Sequence, residues 1–226
     1  ARRNLAAAGF STGTSPAPNG IKFRNISNVP TTQKAIFGYG YTTGVVSMTN
    51  LVSNTGVVAN DTTGVGTARW YLAAAGYGTD KALFGYGTTA GYDQNYSLTN
   101  LVSNTGVVAT DTTGVGTVRN GLAAAGYGGD KAIFGYGTTT GTNYLSMTNL
   151  VSNTGVVATD TTGVGTARKE PAASGYGSDK AIFGYGFNGS NLSITNLVSN
   201  TGVVANDTTG VGSARQGLAA AGYSLT

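Results

Sequence analysis

Apolar and polar positions along this chain alternate with the period of β-strands. The segment 145–151, Leu-Ser-Met-Thr-Asn-Leu-Val, alternates apolar and polar side chains, which is typical of a half-buried strand. The segment 122–127, Leu-Ala-Ala-Ala-Gly-Tyr, is small and apolar, and a Gly-Gly-Asp turn leads from it into Lys131. No segment carries the i, i+3, i+4, i+7 apolar pattern of an amphipathic helix over a useful length. The pattern therefore predicts an all-β fold.

This strand pattern recurs four times. A motif ending in Phe-Gly-Tyr-Gly begins at Lys34, Lys81, Lys131 and Lys180, at intervals of 47, 50 and 49 residues. A nearly invariant block that runs from Thr-Asn-Leu-Val to an Arg occupies 49–69, 99–119, 148–168 and 195–215. Each unit is predicted to hold four short strands, which is typical of β-propeller blades of this length; a β-solenoid, the competing fold, usually has shorter coils. We therefore expect a β-propeller of four-stranded antiparallel blades.

The two ends of the chain suggest a fifth blade position. Residues 1–33 are expected to form an N-terminal strand, at 5–10, and a basic, Pro-containing insertion; with 34–226 they make up one propeller domain. The segment 23–28 echoes the alternating strand, and with 218–223 we expect it to complete a composite closing blade. A four-bladed ring with a spare strand is the alternative. Because the chain begins at Ala1, we expect it to be processed or to be a segment of a longer protein.

Composition removes several classes of function. The chain has no His and no Cys, so the usual zinc, copper and haem ligands, a Cys nucleophile and the commonest general base are missing. We therefore expect no enzyme activity, no cofactor and no metal. Residues 1–60 hold five basic and no acidic residues, and the remainder holds eight basic and nine acidic residues, for a net charge of +4. This is not the dense basic stripe of a nucleic-acid surface, and no apolar run approaches the roughly 20 residues of a membrane span.

Residues repeated in every unit are expected to be scaffold. The Asp of each Asp-Thr-Thr-Gly is a natural turn former. The Tyr of each Gly-Tyr-Gly allows two interpretations. It could form one identical sugar-stacking pocket per blade, or it could pack against the next blade with its hydroxyl group satisfied. These candidate glycan-binding residues are Tyr39, Tyr86, Tyr136 and Tyr185.

Residues that differ between the units are candidates for a binding face. They lie in the loop after each Gly-Tyr-Gly and in the pair of residues after each Arg. In a four-stranded antiparallel blade these two places lie on the same face, so we expect the variable side chains to converge there, although drift in unconstrained loops would also explain their variation. Aromatic and amide side chains suit contact with proteins or glycans. The candidates are Tyr41, Trp70, Tyr71, Tyr92, Asp93, Gln94, Asn95, Tyr96, Tyr144, Phe187 and Asn188.

The order of these motifs resembles the kelch repeat. The resemblance rests on the run 119–137, from Arg119 through Leu-Ala-Ala-Ala-Gly-Tyr to Gly-Tyr-Gly, and on the return to Ala167-Arg168. The paired Gly of the kelch pattern is replaced by Gly-Tyr-Gly, and the usual late Trp is missing. The resemblance covers about residues 34–223 and implies a propeller in which the repeated Arg69, Arg119, Arg168 and Arg215 bridge neighbouring blades. The near-identical units also resemble repeats carried by structural and tail-associated proteins of tailed bacteriophages.

Two functions follow as expectations. The first is a non-enzymatic, virion-associated structural or adhesin module, such as a tail fibre or receptor-binding part, that displays variable loops. It would be a virion or extracellular protein, an oligomer or part of a larger assembly, with virion proteins, cell-surface proteins or glycans as partners. The alternative is a multivalent lectin with one weak site per blade. Neither expectation includes nucleic acid or membrane insertion.

Overall fold

The computed structural model of the protein describes residues 34–90 and 94–223. The predicted strand at 5–10, the insertion up to residue 33 and the echo at 23–28 lie outside the described residues. Every regular element described is a β-strand, so the predicted all-β class is confirmed. The strands are β1 (Ala35–Tyr41), β2 (Val45–Val52), β3 (Ala73–Tyr77), β4 (Lys81–Gly85), β5 (Thr99–Val102), β6 (Ala123–Tyr127), β7 (Lys131–Gly135), β8 (Thr148–Val151), β9 (Ala172–Tyr176), β10 (Lys180–Phe187) and β11 (Asn191–Val198).

The strands form four small antiparallel sheets, one for each repeat. Sheets β3-β4-β5, β6-β7-β8 and β9-β10-β11 have three strands each, with the second strand in the middle, and β1-β2 has two. The register is the same in successive sheets, since Phe84 faces Asn100 and Phe134 faces Asn149. Within the described ranges these sheets do not close into a barrel or a ring.

The fourth strand predicted for each repeat is not a continuous strand. The segment after β5 touches it through two isolated bridges only, Val102 to Val108 and Thr99 to Thr112. The Asn100 side chain explains this, because its Nδ2 donates to the carbonyl of Ala109 at 3.1 Å and to Asp111 Oδ1 at 2.9 Å. A side chain thus occupies the place of a ladder bond. The prediction of four-stranded units was therefore wrong for the described repeats.

Each sheet packs on the next through an aromatic side chain seated on a glycine. The ring of Phe134 lies against Gly85, where an added Cβ would come within 2.6 Å of its Cζ atom. The same ring meets Tyr86 with centroids 5.1 Å apart and the planes at 63°. Phe183 repeats this arrangement on Gly135 in the next unit. The hydrophobic core is therefore a series of interfaces between repeats, as in other tandem-repeat proteins.

The first strands of successive repeats lie side by side along one edge of the array. Strand β6 contacts both β3 and β9, while the third strands lie away from this edge. Residues 218–223 continue the row, and Gly222 approaches the carbonyl of Gly175. They form no strand, so the strand expected at 218–223 is not observed. The two ends of the array also expose what the inner repeats bury. Phe37 is 63% exposed, whereas its counterpart Phe134 is fully buried.

Candidate binding face

The structure brings the two variable parts of each repeat together. Trp70, from the pair after the first Arg, forms a bridge with Thr88, just after the next Gly-Tyr-Gly. Lys169 pairs in the same way with Phe187. The bridge exchanges two backbone hydrogen bonds of 2.9 Å in each case. The predicted convergence of the variable loops on one face is thus what the backbone pairing produces. We call this surface, built from the loops after Gly-Tyr-Gly and the pairs after each Arg, the variable face.

An aromatic cluster occupies the first part of the variable face. The Trp70 ring contacts Tyr41 with centroids 5.1 Å apart and Tyr71 with centroids 4.2 Å apart. The interplanar angles of 39° and 30° make this a tilted stack with the indole in the middle. Tyr41 and Tyr71 remain 59% and 41% exposed. Since Tyr41 belongs to the repeat before Trp70, the cluster crosses a repeat boundary.

Variable side chains also contact across the later boundaries. Asn120 Nδ2 donates to Asn95 Oδ1 at 2.6 Å, and Asn95 Nδ2 donates to the carbonyl of Thr139 at 2.6 Å. The rings of Tyr144 and Phe187 meet edge to face with centroids 6.1 Å apart. The Lys169 ammonium group lies 5.6 Å from the centroid of Phe187. These contacts join variable side chains of neighbouring repeats, and Asn120 is itself buried beneath the face.

The remaining predicted face residues make contacts within their own loops. Gln94 Oε1 accepts from Thr89 Oγ1 at 2.7 Å. Tyr96 is half-buried and its N–H donates to the carbonyl of Gly87, while the N–H of Asn188 donates to the carbonyl of Ser190. Tyr92 and Asp93 lie outside the described residues.

In the first three repeats the Tyr of Gly-Tyr-Gly packs on a Phe of the next repeat: Tyr39 on Phe84, Tyr86 on Phe134 and Tyr136 on Phe183, each with ring centroids 5.1 Å apart. All three and Tyr185 have a backbone φ of 64–65°, and the strand register shifts at Tyr39 and Tyr185 as in a β-bulge. The Tyr86 and Tyr136 rings are fully buried, and each hydroxyl group donates to a Val carbonyl. Burial raises the pKa of Tyr136 to about 12. The contacts are those of the packing interpretation, and at Tyr86 and Tyr136 no ring face is open to a sugar.

A buried Arg joins each pair of repeats, as predicted. Arg119 is fully buried, and its guanidinium group lies 4.2 Å from the ring centroid of Tyr86 in its own repeat. It donates to the carbonyl of Tyr136 at 2.9 Å and to Asn149 Oδ1 at 2.7 Å, both in the next repeat. Burial lowers the pKa of Arg119 below its ordinary value. Arg69 and Arg168 occupy the same place in their repeats.

The repeated Asp of Asp-Thr-Thr-Gly clamps the same boundary. Asp111 accepts from the backbone N–H of Thr67 at 3.0 Å, from Thr67 Oγ1 at 2.7 Å and from Asn100 Nδ2. Burial raises the pKa of Asp111, but the hydrogen bonds from Thr67 and Asn100 outweigh this and hold the pKa below its ordinary value. The structural role expected for these Asp residues is confirmed, although the partner lies in the preceding repeat rather than in the same turn.

A row of backbone hydrogen bonds borders the variable face where the first strands begin. The second residue after each Arg takes part, since Gly121 donates to Tyr71, Glu170 donates to Gly121 and Gly217 donates to Glu170. All four have a left-handed φ of 51–63°. They border a depression of about 210 Å³ that Leu72, Leu122, Pro171 and Leu218 also line. Glu170 belongs to the variable pair after Arg168 but was not among the candidate residues; the alternation of Gly with non-Gly residues at this position was the available signal.

A larger concavity lies at the opposite ends of the first strands. It has a volume of about 840 Å³ and is lined by the repeated tyrosines Tyr77 and Tyr127 and by lysines such as Lys131. Lys131 pairs with Asp130 at 2.9 Å, and Asn153 donates to the same carboxylate. These hydrogen bonds lower the pKa of Asp130. The charges of Lys81, Lys131 and Lys180 are therefore each matched by the preceding Asp, in the second, third and fourth repeats.

Two findings on the described residues and one on the full sequence also bear on function. Among residues 34–90 and 94–223, no group of three or more carboxylate side chains is placed to hold a metal ion. The same residues contain no helix long and apolar enough to span a membrane. No protein-family model matches the chain, and no curated protein is significantly similar to it.

Proposed function

We propose that this protein is a non-enzymatic binding module that presents the variable face on a rigid repeat scaffold. The observation that carries this is the convergence of the variable side chains, from Tyr41 to Phe187, on one surface. The residues shared by all repeats, such as Arg119 and Asp160, are engaged in holding the repeats together. The residues that differ between repeats thus lie mainly at one surface, whereas the residues that all repeats share hold the interfaces between repeats. That division is typical of repeat proteins that bind through one face.

The resemblance of the units to phage repeats gives the module its setting. We propose that it is a structural or receptor-binding part of a tailed-phage particle, with host or particle proteins or glycans as partners. Few charges and many Gly and Thr residues suit a protein exposed on such a particle. The lectin with one site on each repeated Tyr receives less support, because the Tyr86 and Tyr136 rings are buried.

We further propose that the four sheets are blades of a propeller with five positions, the last one composite. Neighbouring first strands surround the larger concavity, as the innermost strands of blades surround an axis. The exposed Phe37 and Arg215 at the two ends of the array support one further position between the last sheet and the first. Small-angle scattering tests this proposal. A closed ring of 226 residues predicts a radius of gyration of about 17 Å. A clearly larger radius, from an open stack, would refute it.

The binding function is tested by competition between the purified protein and the phage that carries it for adsorption to host cells. Purified protein, added to host cells before the phage, should reduce adsorption. The variant Trp70→Ala/Phe187→Ala should compete less well, because it removes rings from two parts of the variable face. The variant Lys81→Ala/Lys131→Ala on the opposite ends of the strands is the control and should compete as well as the natural protein. Absence of the protein from purified particles, or equal competition by both variants, would exclude the proposal.

A further inference from the structure

The geometry points to one saccharide-binding site per chain, in the depression bordered by Tyr71 and Glu170. The inference rests on the proposed binding function and names its ligand class: a neutral pyranose, with one ring seated in the depression. Tyr71 lies on one side and Glu170 on the other, and Gly121 is the residue between them in the row of backbone hydrogen bonds.

Both side chains stand where the backbone favours glycine. All four residues in the row of hydrogen bonds have a left-handed φ, and in two repeats the residue is a glycine, Gly121 or Gly217. Tyr71 and Glu170 adopt φ values of 51° and 52° instead, at which an L side chain carries backbone strain. The Tyr71 ring is 41% exposed, so burial does not explain its presence as it does for the tyrosines of Gly-Tyr-Gly. Strain retained without burial is typical of functional positions.

The glycine between the two residues keeps the depression open. At Gly121, an added Cβ would lie 3.7 Å from Glu170 Cγ and 3.6 Å from Lys169 Cβ. The volume of about 210 Å³ is below the range of roughly 300–1,000 Å³ typical of pockets for drug-sized ligands, so it suits a single sugar ring. The aliphatic side chains of Leu72 and Leu122 line the same depression.

The chemistry of the lining favours a neutral, hydroxylated ligand. The apolar C–H face of a pyranose packs on an aromatic ring, and Tyr71 is supported from behind by Trp70 at 4.2 Å. The Glu170 carboxylate lines the depression and accepts hydrogen bonds from hydroxyl groups, and the Lys169 ammonium group, which lies outside the lining at 3.8 Å from that carboxylate, balances its charge. Because this pair is neutral overall, a cationic ligand gains little net attraction. The tilted stack of three rings also lacks the facing walls of an aromatic cage for a quaternary ammonium group.

Fluorescence of Trp70 provides a direct assay, because it is the only Trp in the chain. The probes are methyl mannoside, lactose, maltotriose and chitotriose, with choline chloride as the cationic comparison, each titrated to high millimolar concentration into the full chain. At least one saccharide should change the emission saturably, with one site per chain by calorimetry. The variants Tyr71→Gly and Glu170→Gly should each raise the Kd of that saccharide at least about tenfold.

Two controls separate binding from folding. The melting temperature of Glu170→Gly should equal or exceed that of the natural protein, since glycine relieves the strained φ. Asn188→Ala, on the same face but outside the depression, should leave the Kd within about twofold. Saturable binding of choline without any saccharide, no response to the four sugars, or an unchanged Kd in Tyr71→Gly would each overturn the inference. Phage competition that still depends on Trp70 and Phe187 would then leave the proposed function standing.

Discussion

Removing the buried guanidinium group of Arg119 should weaken the interface between two neighbouring repeats, so that they no longer unfold together. Arg119 is fully buried and donates three hydrogen bonds, to the carbonyl of Tyr136 at 2.9 Å, to the carbonyl of Thr117 at 3.1 Å and to Asn149 Oδ1 at 2.7 Å. It also lies 4.2 Å from the ring centroid of Tyr86. In Arg119→Ala these interactions are lost and a cavity forms between the second and third sheets.

The size of the effect follows from the groups left behind. The Asn149 side chain is fully buried, and so an acceptor without a donor there costs about 1–3 kcal/mol. Truncating one member of a buried charged network costs about 3–5 kcal/mol in other proteins. We therefore expect Arg119→Ala to lower the free energy of unfolding by about 3–5 kcal/mol. Because tandem repeats are coupled through their interfaces, unfolding should also become broader or split into two transitions.

Urea unfolding followed by circular dichroism measures this effect, and the chain supplies its own control. Lys131, in the third repeat, is also a cation, but its side chain is exposed and its ion pair with Asp130 at 2.9 Å lies on the surface. Lys131→Ala should leave the free energy of unfolding almost unchanged, because exposed ion pairs contribute little to stability. Arg119→Lys, which keeps the charge but loses the planar fork, should fall between the two and serves if the Ala variant does not fold. Equal losses in Arg119→Ala and Lys131→Ala would refute the reasoning.

Three further predictions test the same interfaces. Gly85→Ala should lower the free energy of unfolding, measured by thermal melts, by about 1–3 kcal/mol, because its Cβ would lie 2.6 Å from Phe134 Cζ. The control Gly44→Ala should be neutral, because its Cβ would meet nothing within 4 Å. A neutral Gly85→Ala would contradict this packing. The free energy of unfolding should fall as the pH drops below about 4, because the pKa of Asp111 is depressed in the folded state and its contribution is lost on protonation. Urea unfolding of Asp111→Asn should show a weaker dependence on acid pH. An unchanged dependence would count against a stabilising contact between Asp111 and Thr67. Stability should also fall as the pH rises from about 10 towards 12, because burial raises the pKa of Tyr136 to about 12 in the folded state and its contribution is present below pH 10. Tyr136→Phe should therefore lose less stability at alkaline pH. An absorbance titration in which all tyrosines ionise near pH 10 would disprove the effect of burial.

Much of the fold could be predicted from the sequence because strand periodicity is local. Alternation over 145–151 predicts a strand there, of which 148–151 is β8, and the recurrence of a Lys-Ala-x-Phe motif predicts one sheet per repeat. Antiparallel connectivity also led us to expect the variable loops on one face, and the bridge between Trp70 and Thr88 joins two variable parts at one repeat boundary. These predictions needed only contacts between residues that are close in the chain or related by the repeat.

The tertiary structure decided what depends on distant partners and on local handedness. The fourth strand fails to form because the Asn100 side chain takes ladder positions, which no strand propensity encodes. Tyr136, which has a left-handed φ of 65°, is buried because its ring packs on Phe183 of the next repeat with centroids 5.1 Å apart, although the same letters would fit an exposed ring. Asp111 accepts a hydrogen bond from Thr67, which lies 44 residues earlier in the chain. The sequence by itself determined the repeat, its strands and the side on which it varies; the side-chain partners across each boundary were decided by how one repeat is placed on the next.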